Sequence, residues 1–395
     1  MKIKLGVFFG GKSVEHEVSI ISAIQAMEFL DKDKYDVIPV YITKNNEMYV
    51  GEHIGNIEEY QKINELLNKS QRVVLVNCGD KVEIIKYPFK KFGNSTYDHI
   101  DVAFPIVHGT NVEDGALQGY LKILGLPFVG CDVLSSAVGM DKYVMKTVLK
   151  DNDIPVLDCL VFTLKDYNSN LNDIIEKIES TFSYPVIVKP IDLGSSIGIK
   201  KATNKDELSE AVDYAFQFAT KILVEVAITD LKEVNCSVFG DYEQAKASEC
   251  EEPISTAEIL SYEDKYVSGG KTSGSKGMAS LKRKLPAQIS EEIKNEVQKL
   301  AIKTFQVLGC NGVSRIDFLI DNATNTIYVN EINTIPGSLS FYLWEATNVK
   351  YKDLLDELIK FGLKREREQK AITYSFDSNI LSGIKLNGIK GTKNL

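Results

Sequence analysis

The sequence predicts an α/β fold built on a parallel sheet, and the order of its strand and helix signals supports that prediction. Lys4–Phe9 is a short apolar run, Ser19–Leu30 has helical apolar spacing, and Tyr35–Ile42 is rich in β-branched residues. A strand–helix–strand order of this kind is typical of parallel strands with helices on the faces of the sheet. The chain has 395 residues, more than one ordinary domain, so we expect further lobes of the α/β and α+β classes.

Composition and charge exclude several classes of protein. Lys and Arg number 46 against 55 Asp and Glu, and the net charge of −9 argues against a nucleic-acid-binding surface. No apolar run approaches the roughly 20 residues of a membrane span, and residues 1–10 fit a buried strand better than a signal peptide. The six cysteines are widely spread, as expected for reduced thiols. We therefore expect a cytoplasmic protein with no nucleic-acid and no membrane partner.

The remaining elements follow in order along the chain. Further helices are predicted near 57–68 and over Asp114–Leu124, Asp141–Lys150, Lys205–Phe218, Ile289–Leu308 and Tyr351–Phe361. Further strands are predicted over Arg72–Asn77, Val82–Tyr87, Asp101–Val107, Tyr184–Pro190, Ile197–Lys200, Ile222–Val226, 313–320 and 326–332. Residues 267–281 are rich in Gly, Ser and Lys without periodicity, which indicates a lid or a disordered loop.

Two polar loops directly follow predicted strands. The first, residues 10–19, contains Glu15, and the second, residues 108–115, begins with His108. Loops that follow parallel strands open at the carboxyl edge of the sheet, where α/β proteins bind ligands. The alternative is structural: a tight turn with a helix cap in the first loop, and a cap by one of its carboxylates in the second.

A third loop follows Lys189 at the end of a predicted strand. It contains Gly194-Ser195-Ser196, whose amides and hydroxyls suit phosphate oxygens. The segment is not a Walker A motif, because it lacks the Gly-Lys-Ser/Thr ending and a following helix. We expect a phosphate-covering flap within a β-hairpin, and an ordinary hairpin with a small-residue turn is the alternative.

The sharpest pattern lies in the two strands near the C-terminal end. Arg315 and Asp317 share one face of the first strand, and Glu331 and Asn333 share one face of the second. If these strands pair, one arginine and three oxygen ligands converge. Mg²⁺ prefers such oxygens, with bound phosphates completing its octahedron, and an arginine neutralises charge that develops beside the metal. A surface ion-pair patch is the alternative.

In this order, the four clusters resemble the D-alanine–D-alanine ligase family of the ATP-grasp superfamily, over roughly residues 3–363. The most specific match is the stretch from Leu308 to Gly337. The resemblance implies an ATP-grasp fold with an N-terminal Rossmann-like parallel-sheet domain. The implied boundaries are 1–130 for that domain, 131–222 and 223–363 for the central and C-terminal ATP-grasp lobes, and 364–395 for an extension of unknown role.

The resemblance also implies a role for each matching residue. ATP would be held by Lys142, Lys189, Ser196, Glu225, Ile228 and Glu233. Two Mg²⁺ or Mn²⁺ ions would be bound by Asp317, Glu331 and Asn333. The catalytic groups would be Glu15, Ser195, Tyr266, Arg315 and Gly337, and the substrate subsites would include His108, Lys265, Ser340, Tyr342 and Leu343.

The activity that the resemblance implies is ATP-dependent ligation of two D-alanines through an acylphosphate, for peptidoglycan precursors. D-alanine and ATP are then the small-molecule partners, and a homodimer is compatible with this assignment.

Three departures from the family pattern leave alternatives open. Val112 stands where the family usually has glycine, and residues 364–395 have no counterpart. Tyr342 stands where the family places a serine that grips the carboxylate of the second D-alanine. Either Tyr342 donates a hydrogen bond to that carboxylate, or Ser340 takes over, or the acceptor is D-serine or another amino acid. A non-catalytic nucleotide-binding protein is less favoured, because a pure binder needs no oxyanion group such as Arg315.

Overall fold

The computed structural model describes residues 2–89, 92–254, 283–375 and 378–379. These residues form three β-sheets with helices packed against them. The predicted lid over 267–281, together with Lys265 and Tyr266, lies outside the described residues.

The N-terminal sheet has seven strands in the spatial order β6-β5-β4-β3-β2-β1-β7. The strands are β1 (Ile3–Gly10), β2 (Tyr35–Ile42), β3 (Met48–Val50), β4 (Gln71–Asn77), β5 (Val82–Lys86), β6 (Thr96–Ile100) and β7 (Val102–Pro105). Strand β1 pairs in parallel with both β2 and β7, so the parallel order is confirmed there. Strands β3 to β6 extend the sheet as an antiparallel meander. Two of them, β3 and β6, are short and were not predicted.

Three helices accompany this sheet: α1 (His16–Phe29), α2 (Ile63–Lys69) and α3 (Ala116–Ile123). Helix α1 carries a buried serine, Ser19, that fastens the ends of two strands. Its hydroxyl accepts a hydrogen bond from the Gly10 amide at 2.8 Å and donates to the Ile106 carbonyl at 2.6 Å. The loops after β1 and β7 are therefore held next to each other, at the edge where ligands bind in such sheets.

The central lobe contains a four-stranded antiparallel sheet in the order β10-β9-β11-β8. Its elements are α4 (Val133–Met140), α5 (Lys142–Asp151), β8 (Cys159–Thr163), α6 (Leu164–Ser169), α7 (Leu171–Thr181), β9 (Val186–Pro190), β10 (Lys200–Ala202), α8 (Lys205–Ala215) and β11 (Lys221–Val226). Strand β10 begins later than predicted. Ser195 and Ser196 have left-handed φ angles of 55° and 59°, and the residues between them and β10 therefore stay in a turn.

The C-terminal lobe has a five-stranded sheet in the order β14-β13-β12-β15-β16. Its elements are β12 (Leu231–Gly240), β13 (Ala245–Pro253), β14 (Arg283–Lys284), α9 (Glu291–Val307), β15 (Gly312–Asp321), β16 (Thr326–Asn333), α10 (Phe341–Glu345) and α11 (Tyr351–Lys370). Helix α9 covers one face of the sheet with apolar side chains such as Val297 and Phe305, which pack with Ile316 and Phe318. Because side chains alternate along a strand, the opposite face is left for polar residues.

Helix α11 continues to Lys370, although the sequence predicted its end at Phe361. The charged residues beyond Phe361 are used in the fold. Lys364 pairs with Asp241 at 2.7 Å, and Arg365 donates to the Phe128 carbonyl at 2.6 Å. In the part of the chain that the structure describes, no helix is long and apolar enough to cross a lipid bilayer.

Candidate active site

The hairpin of β15 and β16 pairs as predicted and brings the predicted metal residues together. Asp317 lies opposite Glu331, and Arg315 lies opposite Asn333. Arg315 donates from Nε and Nη2 to the two carboxylate oxygens of Asp317, at 2.7 and 2.8 Å. Asn333 Nδ2 lies 3.2 Å from the same carboxylate. Burial disfavours the charged guanidinium, but Asp317 overrides that effect and holds the pKa of Arg315 well above its usual value.

The oxygen donors of this hairpin fit Mg²⁺ or Mn²⁺. Two carboxylates and one amide oxygen on adjacent strands are hard ligands of the type these ions prefer. Within the described ranges, no group of three or more His, Cys, Asp or Glu side chains could hold a metal ion by itself. Mg²⁺ is usually bound through few protein groups, and substrate phosphates complete its coordination. The donor set therefore suits a metal that is shared with a nucleotide.

Two buried lysines of the central lobe face this hairpin. Lys142 lies at the start of α5, and its Nζ is 3.6 Å from Glu331 Oε2 while it donates to the Leu193 carbonyl at 2.7 Å. Lys189 lies in β9 and its Nζ donates to Asn330 Oδ1 at 3.2 Å. Two cations next to a carboxylate-lined hairpin form an environment that suits a polyphosphate with its metal ions.

Glu225 is buried between two lysines. It pairs with Lys189 and, at 2.6 Å, with Lys146. Burial opposes the charge of Glu225, but the two lysines lower its pKa to about 2. Lys146 was not predicted from the sequence. Its position one turn after Lys142 on α5 places both lysines on the same face, and that spacing was the available signal.

The three glycine-containing loops meet at Glu15. The Ser195 hydroxyl donates to Glu15 Oε1. A Cβ atom at Gly109 would lie 2.8 Å from Glu15 Oε2, and one at Gly194 would lie 2.9 Å from it. Only residues without a side chain allow these two loops to approach the carboxylate so closely. Clusters that were predicted separately thus form one site.

His108 lies beneath this site and is fully occupied by hydrogen bonds. Its Nδ1 donates to the Ile335 carbonyl at 2.8 Å, and its Nε2 accepts from the Ser22 hydroxyl at 2.9 Å. Ser22 in turn accepts from the Ser338 amide at 2.9 Å. Burial lowers the pKa of His108 to about 4, so the ring is neutral. His108 therefore positions the turn that contains Gly337, and neither ring nitrogen is left for a substrate.

Glu113 is a buried site residue that the sequence analysis did not assign. It accepts from the amides of Gly109 and Ile335, both at 2.9 Å, and from the Thr334 hydroxyl at 3.2 Å. Burial and the neighbouring Glu15 carboxylate raise the pKa of Glu113 to about 8. Glu113 thus joins the loop after β7 to the segment after β16.

Asp114, the other carboxylate of this loop, accepts from the Ala116 amide at 3.1 Å, at the start of α3. The N-cap residue of α3 is Gly115, so neither carboxylate is the N-cap.

The segment after Gly337 differs from expectation at Tyr342. The Tyr342 hydroxyl donates to Glu251 Oε1 at 2.9 Å. A tyrosine hydroxyl has one hydrogen, so in this arrangement Tyr342 has none for an amino-acid carboxylate. Ser340 is fully buried, and its Oγ has no hydrogen-bond partner among the described residues. Leu343 is also fully buried.

The strands and the turn already described give the positions of three more predicted residues. Ile228 is half-buried in the connection between β11 and β12, and Glu233 lies in β12 opposite Leu319. Ser196 follows Ser195 in the turn of left-handed backbone.

Comparisons with known proteins indicate the same family over most of the chain. The family model for the D-ala D-ala ligase N-terminus matches residues 4–131, and the model for the D-ala D-ala ligase C-terminus matches residues 148–360. A D-alanine–D-alanine ligase of Thermosipho melanesiensis is 39% identical over 380 residues, which cover 96% of this chain and 98% of that protein.

Solved structures show the same architecture. The D-alanine–D-alanine ligase of Coxiella burnetii matches with a TM-score of 0.77 and 29% identity, covering 94% of this chain and 96% of that one. The VanG D-Ala:D-Ser ligase of Enterococcus faecalis matches with a TM-score of 0.76 and 30% identity, covering 92% of this chain and 100% of that one. The predicted ATP-grasp fold is confirmed, and the chain belongs to the D-alanine–D-alanine ligase family of ATP-dependent ligases.

Proposed function

We propose that the protein joins two D-alanine molecules into D-alanyl-D-alanine, a peptidoglycan precursor, and converts ATP to ADP and phosphate. The observation that carries this proposal is the polar hairpin of β15 and β16, where Arg315, Asp317 and Glu331 lie beside Lys142. A nucleotide-binding protein without turnover has no need of a buried arginine at this place.

The reaction requires activation of a carboxylate, because its negative charge repels an incoming amine. Transfer of the γ-phosphoryl group of ATP to the first D-alanine gives an acylphosphate. The amine of the second D-alanine then attacks the acyl carbon, a C–N bond forms, and phosphate leaves with the C–O bond electrons.

The residues of the chain supply the electrostatics of these steps. Lys142 and Lys189 bind the ATP phosphates, while Asp317, Glu331 and Asn333 would hold Mg²⁺ or Mn²⁺. Such an ion, when bound, neutralises phosphate charge during transfer. Arg315 and the Gly337 amide stabilise the oxyanion of the tetrahedral intermediate. The adenosine part lies along Glu225, Ile228 and Glu233.

Glu15 binds the ammonium group of the first D-alanine. Its carboxylate is held by the Ser195 hydroxyl where the loops after β1, β7 and β9 meet. A buried carboxylate at the junction of three loops orients a cationic group and leaves little room for water, which would hydrolyse the acylphosphate.

D-serine as acceptor is the alternative, with the same mechanism. Two observations favour it: Tyr342 stands where a serine is expected, and one structural neighbour is a D-Ala:D-Ser ligase. We also propose a cytoplasmic location, which the six free cysteines support, and a homodimer remains a prediction.

A substrate panel tests the proposed function. The purified protein receives ATP, Mg²⁺ and D-alanine, alone or with D-serine or D-lactate, and ADP release and product mass are measured. We expect D-alanine-dependent ADP release and a product with the mass of D-alanyl-D-alanine. ADP release that does not depend on D-alanine would contradict ligase activity, and a preference for the mixed D-serine product would select the alternative acceptor.

A further inference from the structure

A polar row crosses the C-terminal sheet beyond the predicted metal residues. Asp317 in β15 lies opposite Asn235 in β12, and Asn235 lies opposite Glu251 in β13. Directly paired residues point to the same face of a sheet, so Glu251 and Asn235 share the face of Asp317 and Glu331. Neither Glu251 nor Asn235 was assigned a role by the sequence or by the resemblance.

Glu251 is the centre of a closed hydrogen-bond network. Its Oε1 accepts from Tyr342 at 2.9 Å and from Asn235 Nδ2 at 3.0 Å, and its Oε2 accepts from Arg283 at 2.7 Å. The Arg283 guanidinium also stacks on the Tyr342 ring, 3.9 Å from its centroid. Glu251 and Tyr342 are both buried, so this arrangement is rigid and not screened by water.

The network fixes the direction of hydrogen bonding at the Tyr342 hydroxyl. Its single hydrogen is donated to Glu251, and none of the described residues donates to its oxygen. Burial raises the pKa of Tyr342, and Glu251 adds to that effect, so the phenol keeps its proton. The free lone pairs of the phenolic oxygen therefore accept hydrogen bonds and do not donate one.

The same network lies close to the reaction centre. Asn235, which donates to Glu251, lies opposite Asp317, and Asp317 accepts two hydrogen bonds from Arg315, the residue that stabilises the oxyanion in the proposed function. Tyr342 also follows Gly337 within one short turn and helix. A second amino acid that attacks an acyl group beside Arg315 thus passes near the phenolic oxygen.

We propose that Tyr342 accepts a hydrogen bond from the amino group of the second amino acid. Glu251 is the positioning residue, because it takes the phenolic hydrogen and leaves the oxygen as an acceptor. This inference rests on the proposed function and names the group that orients the attacking amine. A hydrogen bond from one N–H to Tyr342 directs the nitrogen lone pair towards the acyl carbon.

The carboxylate of the second amino acid must then be bound by another group. Ser340 supplies a buried hydroxyl without a partner among the described residues. This assignment reverses the role expected for Tyr342, in which the phenol donates to that carboxylate.

Tyr342→Phe and Glu251→Gln test the inference together. Tyr342→Phe removes the accepting oxygen. In Glu251→Gln, Arg283 holds the new amide oxygen, so the amide nitrogen donates to the phenol and the phenolic hydrogen turns into the site. We expect each variant to raise the KM for the second D-alanine about tenfold, the loss of one hydrogen bond. The first half-reaction, followed by D-alanine-dependent oxygen-isotope exchange within ATP, stays unchanged.

Propionate separates the two possible roles of Tyr342, because it has the carboxylate and methyl group of alanine without the amine. We expect its inhibition constant against the second D-alanine to be the same in wild type and Tyr342→Phe. Parallel weakening of propionate and D-alanine, or an unchanged D-alanine KM in both variants, would overturn the inference.

Tyr167→Phe is the matched control. It removes another tyrosine–carboxylate hydrogen bond, to Asp213 at 2.9 Å, on the exposed surface of the central lobe. A wild-type protein that forms no dipeptide contradicts the proposed function instead. In that case, calorimetric titration of D-alanine and propionate into the complex with an ATP analogue still measures how Tyr342 contributes to binding, because such a titration needs no turnover.

Discussion

At the scale of single residues, burial decides which protonation states the site uses. His108 donates from Nδ1 to Ile335 and accepts at Nε2 from Ser22, a pattern that only the neutral ring permits. Burial lowers its pKa from the usual 6.5 to about 4, and the nearby Arg315 adds to that effect. The ring is thus a fixed structural link between the loop after β7 and the turn of Gly337, and a second proton breaks that link.

We expect His108 to make the protein less stable in acid. Its pKa is lower in the native than in the unfolded state, so the unfolded state binds more protons as the pH falls from about 6.5 to about 4. Between pH 7 and pH 5, this difference removes about 2 kcal/mol from the free energy of unfolding. His108→Gln keeps one donor and one acceptor without titrating. Between pH 7 and pH 5, the free energy of unfolding of this variant should therefore fall by that amount less than in the wild type. Urea unfolding at the two pH values measures it.

An exposed histidine provides the control for this measurement. His53→Gln makes the same substitution at a histidine whose side chain is 43% exposed, so it measures what a His-to-Gln change alone does to the pH dependence. Equal pH dependence in His108→Gln and wild type would show that His108 does not titrate in this range.

At the scale of elements, the hairpin of β15 and β16 was the most predictable part of the site. Its alternating pattern placed Arg315 with Asp317 and Glu331 with Asn333, and the observed register brings these pairs face to face. The reason is that period-2 alternation determines both the strand and the face of each side chain.

Other elements depended on partners far away in the sequence. The network of Tyr342 and Glu251 joins residues 91 positions apart, and no local pattern specifies such a pairing. The end of α11 was missed for a similar reason, because the charged residue Arg365 is satisfied by carbonyls near residue 130. Glu113 was overlooked because the role of a buried ionisable side chain becomes visible only when its partners are known. Lys146 was overlooked although its spacing from Lys142 places both lysines on one face of α5.

The paired carboxylates of the hairpin lead to a prediction about metal dependence. Asp317→Asn and Glu331→Gln each remove negative charge that holds a divalent ion against the ATP phosphates. We expect turnover at ordinary Mg²⁺ to fall by at least about tenfold to a hundredfold, the loss typical when an outer-shell partner of a metal ligand is removed, while the protein stays folded. A Mg²⁺ titration of ADP release should show that excess metal partly restores the rate.

Asp321→Asn is the control on the same hairpin. Asp321 accepts from the Ala323 amide at 3.0 Å in the turn, at the far end of β15 from the polar row. Its replacement should leave the Mg²⁺ dependence unchanged. Near-normal turnover of either test variant at ordinary Mg²⁺ would place the metal elsewhere.

At the scale of the whole molecule, the site exists only where separate parts of the chain meet. Glu15 belongs to the N-terminal sheet, whereas Ser195 and Gly194 belong to the loop between β9 and β10 of the central lobe. At this seam the Glu15 carboxylate accepts a hydrogen bond from Ser195, and the absence of a side chain at Gly194 lets the loop reach it. Function at this seam is therefore more sensitive to small steric changes than stability is, because the loop contributes little to either hydrophobic core.

Gly194→Ala tests this seam. The φ angle of Gly194 lies outside the left-handed region, so alanine is compatible with the backbone, but its Cβ would lie 2.9 Å from Glu15 Oε2. The carboxylate must move away, and the hydrogen bond from Ser195 is lost. Because a hydrogen bond to a charged group contributes about 1.5–3 kcal/mol, we expect the KM for the first D-alanine to rise about tenfold or more. The free energy of unfolding should fall by no more than about 1.5–3 kcal/mol, the contribution of that hydrogen bond.

Gly55→Ala separates this steric effect from the general consequences of replacing a glycine. Gly55 also lies outside the left-handed region, and its added Cβ would meet only Pro39, at an ordinary 3.7 Å. Both variants lose the same backbone freedom in the unfolded chain, so any difference in kinetics arises at the seam. If Gly194→Ala kept the wild-type KM for the first D-alanine, the contact between the loop and Glu15 would have no part in binding that substrate. If both variants lost stability equally while only Gly194→Ala lost affinity, the contact between the loop and Glu15 would act on binding alone.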